Sequence, residues 1–108
     1  MVPIISTATA LTAAGVTDTV PTVGAEDFVI QVLVSSIGTN VVVRIEGTLD
    51  ETNWFNCDYG GDTTITVNGV TAFNIQNAPL KAIRGRLVSI SGGTPSVEFA
   101  FSRLGAAS

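Results

Sequence analysis

The stretch from Val41 to Phe55 constrains the fold more tightly than any other part of the chain. It begins with β-branched residues that alternate with polar ones, passes through the polar residues 50–53, and reaches Trp54, the single Trp of the sequence. β-Branched and aromatic residues favour strands, and alternation at period two gives a strand one apolar and one polar face. The stretch therefore predicts a strand, a turn and a second strand. Its first strand has inward residues Val41, Val43 and Ile45 and outward residues Val42, Arg44 and Glu46.

The same kind of pattern recurs along the chain and predicts an all-β protein. Turn residues separate apolar runs about every eight to twelve residues, and no segment has a convincing helical pattern. The predicted strands span residues 28–35, 41–49, 54–57, 63–67, 70–75, 81–91 and 96–102. About seven short strands of this kind predict an antiparallel β-sandwich.

Two short connections predict hairpins. Residues 37–40 are a brief polar turn, so the strands on either side of them are expected to pair with each other. Asn68-Gly69 is the commonest signal for a type I′ turn and predicts a second hairpin, between the strands that it joins. Residues 92–95, Gly-Gly-Thr-Pro, predict a further turn before the last strand.

The core is expected where the inward faces of the two layers meet. In the strand 81–91 the apolar face changes from Ile83 and Leu87 to Val88 and Ile90, which predicts a β-bulge. The predicted core residues are Ile30, Val32, Val43, Ile45, Trp54, Ile65, Phe73, Leu87, Phe99 and Phe101.

Residues 1–24 differ from the rest because they are rich in Thr, Ala and Val and nearly free of charge. We interpret them as an extended N-terminal arm, ahead of a β-sandwich domain at 25–108. Such an arm either adds an edge strand to the domain or lies on a neighbouring subunit. The candidate partner-binding residues are Val2, Ile4, Ile5, Leu11 and Val20 in the arm, with Arg44, Arg84 and Arg86 on the strands.

Composition removes several classes of function. Charged residues make up 13% of the chain and the net charge is −4 with five basic residues, which argues against binding to nucleic acid. His is absent and Cys57 is the single Cys, so the sequence excludes an internal disulfide, a Cys/His zinc site and Ser-His-Asp catalysis. Cys57 is interpreted as a small, buried apolar side chain.

We predict no catalytic residue, no cofactor and no metal site. A paired-carboxylate hydrolase is the enzyme class that the missing His leaves open, but no spacing brings two carboxylates onto one strand face. Asp58 and Asp62 could instead supply oxygen ligands to calcium in a loop, although no EF-hand pattern is present. Turn chemistry explains these residue types without a ligand.

Two groups of residues have both a structural and a functional interpretation. Five charged residues alternate outward on three strands, and they either form cross-strand ion pairs or set the register of a contact between subunits. They are Arg44, Glu46, Arg84, Arg86 and Glu98. Trp54, with Phe55 and Tyr59, is either a core anchor or a platform on which a sugar stacks.

The N-terminus gives an expectation about location. Met1 to Ser6 has no positively charged start and no long apolar segment, and no stretch of the chain reaches roughly 18 apolar residues. We therefore expect synthesis in a cytoplasm and no membrane association.

Three stretches resemble small virion proteins of tailed bacteriophages: Val43 to Phe55, Ile65 to Gly69, and Arg84 to Thr94. The chain looks like a capsid decoration, or cement, protein. This resemblance covers residues 25–104, leaves out the arm, and is one of pattern, since similar hairpins occur in domains of phage fibres and baseplates.

The resemblance implies a non-enzymatic protein that binds the outside of an assembled phage head and stabilises it. Its partner would be the major capsid protein, and it would form a homo-oligomer, as a dimer or trimer, on the virion. The alternative is a receptor- or glycan-binding accessory module of a tail fibre or baseplate that uses Trp54 and Tyr59.

Overall fold

The chain folds entirely into β-structure over the residues described by the computed structural model. These are residues 3–22, 26–58, 61–76 and 78–104, with the backbone alone described at 3–9 and 103–104. The strands are β1 (Pro3–Leu11), β2 (Gly15–Val16), β3 (Val20–Pro21), β4 (Phe28–Thr48), β5 (Trp54–Asn56), β6 (Thr63–Ile65), β7 (Gly69–Ile75) and β8 (Ala82–Leu104). All their pairings are antiparallel, which confirms the predicted fold class. Across these ranges no helix is long and apolar enough to cross a membrane.

The two long strands β4 and β8 form the centre of the sheet. They pair with each other from Phe28 opposite Arg103 to Thr48 opposite Ala82, with register shifts around residues 35–40. At this point the ribbon bends, and Gly38 lies so close to Gly92 that a Cβ on Gly38 would be 2.3 Å from the Gly92 carbonyl carbon. One hydrogen-bonded sheet therefore folds over to make two layers.

Each layer contains half of both long strands. The β7 layer consists of β1, residues 96–104 of β8, residues 28–35 of β4, and β7, in that order. The β5 layer consists of β2 and β3, residues 82–91 of β8, residues 40–48 of β4, and then β5 and β6.

The core lies between the two layers and is built around a cluster of buried aliphatic and aromatic side chains. Phe99, from the β7 layer, is fully buried and stacks with Phe101, with ring centroids 6.3 Å apart. It packs on Gly85 of the β5 layer, where a Cβ would come within 2.3 Å of the Phe99 ring. The absence of a side chain at Gly85 thus makes room for the ring of Phe99.

Most of the predicted core is confirmed. Eight of the predicted residues are buried: Ile30, Val32, Val43, Ile45, Ile65, Leu87, Phe99 and Phe101. Phe73 is partly buried against this core. The prediction of Trp54 as a core residue is wrong. Its side chain lies half-buried on the outer side of the β5 layer.

The predicted turns at residues 37–40 and 92–95 are bends within single strands. Residues 37–40 do not turn the chain back on itself, since the residues on both sides belong to β4 and pair with β8. The Gly-Gly-Thr-Pro segment at 92–95 lies inside β8 in the same way. The glycines are still needed there, because Gly92 and Gly93 both have positive φ values, of 72° and 66°.

The hairpin predicted at Asn68-Gly69 is also wrong. Strands β6 and β7, which flank it, both pair with β4 along different halves of that strand. Asn68-Gly69 is therefore a corner at which the chain passes from the β5 layer to the β7 layer. The Asn68 side chain accepts a hydrogen bond from the Ile37 N–H at 2.9 Å, which ties this corner to the bend of β4.

The hairpin between β4 and β5 forms as the sequence predicts. In its turn, the Asp50 carboxylate accepts hydrogen bonds from the N–H groups of Thr52 and Asn53, at 2.9 and 2.7 Å. The Thr48 hydroxyl donates to the Asn53 carbonyl at 2.6 Å. The predicted bulge is confirmed too, because the pairing of β4 with β8 skips Val88.

Candidate interaction surfaces

The outer side of the β5 layer carries a charged cluster centred on Glu46. Its Oε1 accepts a hydrogen bond from Nε of Arg84 at 2.8 Å, and its Oε2 accepts one from Nε of Arg86 at 2.8 Å. A guanidinium nitrogen of Arg44 lies 3.4 Å from the same Oε2. The side chain of Glu46 is only 4% exposed, so this carboxylate is buried beneath three arginines.

Sheet register explains why these residues meet. Glu46 lies directly opposite Arg84, and Arg44 lies directly opposite Arg86. Two like charges in facing positions repel each other, and Glu46 relieves this repulsion because it contacts both. Arg44 is neutralised further by Asp62, with Nε–Oδ1 and nitrogen–Oδ2 distances of 2.7 and 3.0 Å.

The pKa values reflect this pairing. Burial acts to raise the pKa of Glu46, but the hydrogen bonds and positive charges of Arg84 and Arg86 outweigh it and hold that pKa below its ordinary value. The hydrogen bond from Arg44 lowers the pKa of Asp62 in the same direction. Both acids therefore stay ionised at neutral pH, and the cluster of three arginines and two carboxylates carries one net positive charge.

Four of the five residues predicted to alternate outward belong to this cluster. The face that they form is not fully solvated, since Glu46 is buried. Glu98 is separate, because it lies exposed on the β7 layer opposite Leu33. Cross-strand ion pairing thus occurs within the chain, and a role of these arginines in a subunit contact stays a prediction.

Trp54 is positioned by the same cluster. The guanidinium carbon of Arg84 lies 3.9 Å from the centre of its ring, in cation–π geometry. One face of the ring is therefore covered by Arg84, and the role of Trp54 as a sugar platform stays a prediction. Tyr59, the other residue of the glycan interpretation, lies outside the described residues.

Most candidate partner-binding residues of the arm lie in the core or in β1, and one lies outside the described residues. Val20 is buried in the core, and Leu11 packs against it. Ile4 and Ile5 belong to the backbone of β1, opposite Arg103 and Ser102 of β8. Val2 lies outside the described residues. β1 is thus hydrogen-bonded to its own chain, as an edge strand.

The outer side of the β7 layer has a different chemistry, and we call it the apolar face. It is formed by alternate residues of β4, β7 and β8: Val29, Gln31, Leu33, Val70, Ala72, Asn74, Glu98, Ala100 and Ser102. Val29, Leu33 and Val70 are 46%, 36% and 60% exposed. Its one charged residue is Glu98. This agrees with the sequence, in which residues on both sides of the strand at 28–34 are largely apolar.

A groove of about 370 Å³ opens beside the β4–β5 hairpin, between Leu49, Phe55 and Leu80. Cys57 lies on its wall and is half-buried against the core. Burial raises the pKa of its thiol to about 11, so the thiol is protonated at neutral pH. This agrees with the interpretation of Cys57 as a small apolar side chain.

One of the two loop acids of the calcium interpretation already has partners within the chain. Asp62 is engaged by Arg44 and by the Asn56 amide, at 2.7 and 3.3 Å. Among the described residues there is no group of three His, Cys, Asp or Glu side chains that could hold a metal ion.

Comparison with known proteins gives likenesses of fold. No protein-family model and no curated protein matches the sequence. The structure is similar to that of the SPBc2 prophage-derived protein YomS, with a TM-score of 0.64, 10% identity and 96% of each chain covered. It is also similar to a protein of the disulfide-linked pili that form Bacillus endospore appendages, with a TM-score of 0.59, 10% identity, and 98% of this chain and 88% of that chain covered. At this level of identity the likeness establishes a shared all-β fold.

Proposed function

We propose that this chain is a non-enzymatic structural protein of a bacteriophage particle, which binds the outside of the assembled capsid and reinforces it. The observation that carries the proposal is the apolar face, which exposes Val29, Leu33 and Val70 and has Glu98 as its one charged residue. Exposed apolar patches of this kind mark sites of contact with other proteins. The shared fold with a prophage-derived protein and with a pilus protein supports an assembled, particle-bound setting.

The mechanism follows from repetition. The face spans three strands, so each copy contributes a modest contact with the major capsid protein. A capsid presents the same site many times by symmetry, and a homo-oligomer that engages several sites at once binds far more tightly than one copy alone. The added contacts across joints between capsid subunits would resist outward pressure.

Sedimentation of the purified protein with isolated phage heads tests this proposal. The wild-type chain is expected to pellet with heads, whereas Leu33→Glu places a charge in the middle of the apolar face and is expected to stay in solution. Leu49→Glu is the matched control, because Leu49 is 65% exposed but lies in the β4–β5 turn. Failure of the wild-type chain to pellet with heads would refute capsid binding.

Sedimentation with host cells in place of phage heads tests the alternative function. A receptor- or glycan-binding module would bind host cells or their glycans and would lose this binding on Trp54→Ala. Binding to heads that is lost in Leu49→Glu but kept in Leu33→Glu would mean that the contact lies beside the hairpin rather than on the apolar face.

A further inference from the structure

The two layers differ in how their edges are protected. In the β5 layer the outer strands are short, with two residues each in β2 and β3 and three each in β5 and β6. Very short edge strands are one way in which proteins prevent unwanted pairing. In the β7 layer the edge strands are long: nine residues in β1 and seven in β7.

The long edges also lack charged residues and internal prolines, although β1 has a register shift between Ser6 and Thr9. Neither Pro3–Leu11 nor Gly69–Ile75 contains a charged residue, and the single Pro is the first residue of β1. Charges, internal prolines and covering loops are what normally blunt an edge. Within the described part of the chain β1 pairs with β8 alone and β7 pairs with β4 alone. Every second residue of each edge strand therefore points its N–H and C=O groups away from the sheet.

The directions of the two edge strands determine how the edge of one copy can pair with the edge of another. The order in the β7 layer is β1, β8, β4, β7, and each neighbouring pair is antiparallel. With four alternating strands, β1 and β7 run in opposite directions. A second copy placed beside the first without rotation therefore brings its β1 antiparallel to β7, and the alternation continues across the junction.

We propose that β7 of one copy pairs with β1 of a second copy, so that the β7 layers join into a continuous antiparallel sheet. This contact is heterologous, and it leaves a free β1 at one end and a free β7 at the other. Heterologous contacts of this kind form rings or open chains. A two-fold pairing of β7 with β7 would leave the outward N–H and C=O groups of both β1 strands unpaired. Head-to-tail pairing instead uses the outward groups of both β1 and β7. The inference goes beyond the proposed function and needs no phage head.

Two edge variants test the pairing. Ala72→Lys charges β7 and Ala10→Lys charges β1, and both Ala side chains are exposed, so the fold is expected to tolerate them. Sedimentation velocity of the wild-type chain is expected to show dimers and larger species that increase with concentration. Each variant alone is expected to remain monomeric, with the apparent dissociation constant raised about tenfold or more. Leu49→Lys and Leu33→Glu are expected to assemble like the wild type, since neither lies on an edge strand.

Mixing the two edge variants gives the decisive result. Ala10→Lys retains a free β7 and Ala72→Lys retains a free β1, so the mixture is expected to form dimers with one copy of each. Dimers of Ala10→Lys alone would show β7 pairing with β7 and would overturn the proposal. A wild-type chain that stays monomeric at all concentrations, or assembly that Leu33→Glu abolishes, would overturn it as well.

Discussion

At the scale of single residues, Glu46 holds the charged side of the molecule together. Its carboxylate accepts hydrogen bonds from Arg84 and Arg86. It also offsets the repulsion between Arg44 and Arg86, which face each other across the strands. Cross-strand ion pairs are one of two interpretations of these residues from the sequence, which does not predict the burial of Glu46. Burial depends on arginines that lie 38 and 40 residues later in the chain, so no local pattern reveals it.

Replacement of Glu46 is expected to destabilise the protein strongly. In Glu46→Gln the arginines lose their counter-charge, and breaking one side of a buried ion pair costs about 3–5 kcal/mol. We expect about 3 kcal/mol, because Arg86 keeps 36% of its side chain exposed. Asp62→Asn is the control, since its pair with Arg44 is more open and is expected to contribute less than about 1 kcal/mol. Urea unfolding measures both, and equal losses would contradict the central role of Glu46.

Acid is expected to unfold the protein for the same reason. The pKa values of Glu46, Asp62 and Asp50 are lower in the folded chain than the ordinary values of about 4. Groups of this kind stabilise the fold above their unfolded-state pKa, and their contribution is lost as the pH falls through the folded-state pKa. Stability should therefore be constant near neutral pH and fall below about pH 4.5.

The variant Glu46→Gln separates the part of this acid sensitivity that Glu46 contributes. Its free energy of unfolding is expected to fall less steeply with acid than that of the wild type, because one of the titrating groups is gone. Unfolding in urea at a series of pH values measures the two slopes. Equal slopes would show that Glu46 does not titrate with a lowered pKa.

At the scale of strands, the bend in the β4–β8 ribbon determines the two-layer shape. The sequence placed the inward residues of both halves correctly, since alternation at period two survives the bend. It could not show that the predicted strands 28–35 and 41–49 both belong to β4, or that 81–91 and 96–102 both belong to β8. Gly, Ser, Asn and Thr mark a break equally well whether the chain reverses or bends, and the choice depends on the long-range pairing of β4 with β8.

The outcome at Asn68-Gly69 has a similar cause. Its local preference for a tight hairpin is real, but β6 and β7 each gain a full ladder with β4 instead. The β4–β5 hairpin was predictable because its turn is held by its own side chains, Thr48 and Asp50.

A methyl group at the bend is expected to disrupt the fold. In Gly38→Ala the new Cβ would lie 2.3–2.6 Å from backbone atoms of Gly92 and Gly93, which cannot move aside as a side chain can. We expect a loss of about 3 kcal/mol, the upper part of the usual range for overpacking. Gly15→Ala is the matched control, because the nearest atom to its Cβ would be 3.9 Å away. Thermal melts that move equally for both variants would contradict the account of the bend.

At the scale of the whole molecule, the two outer sides have opposite chemistry. One side carries the cluster of three arginines and two carboxylates around Glu46, and the other carries the apolar face with its single charge at Glu98. A composition with 13% charged residues implies a surface poor in charge, and apolar surface that stays exposed favours contact with other protein. It could not say where the contact lies, because the separation into two sides arises when the ribbon folds over.

The location of the protein on phage particles tests the central claim most directly. Antibodies against the purified chain, applied with gold labels to intact particles from the strain that encodes it, are expected to decorate the outside of the heads in electron micrographs. Particles grown without the gene are the control and should carry no gold. Labelling confined to tails or baseplates, or none on any particle, would contradict a protein that reinforces the capsid from outside.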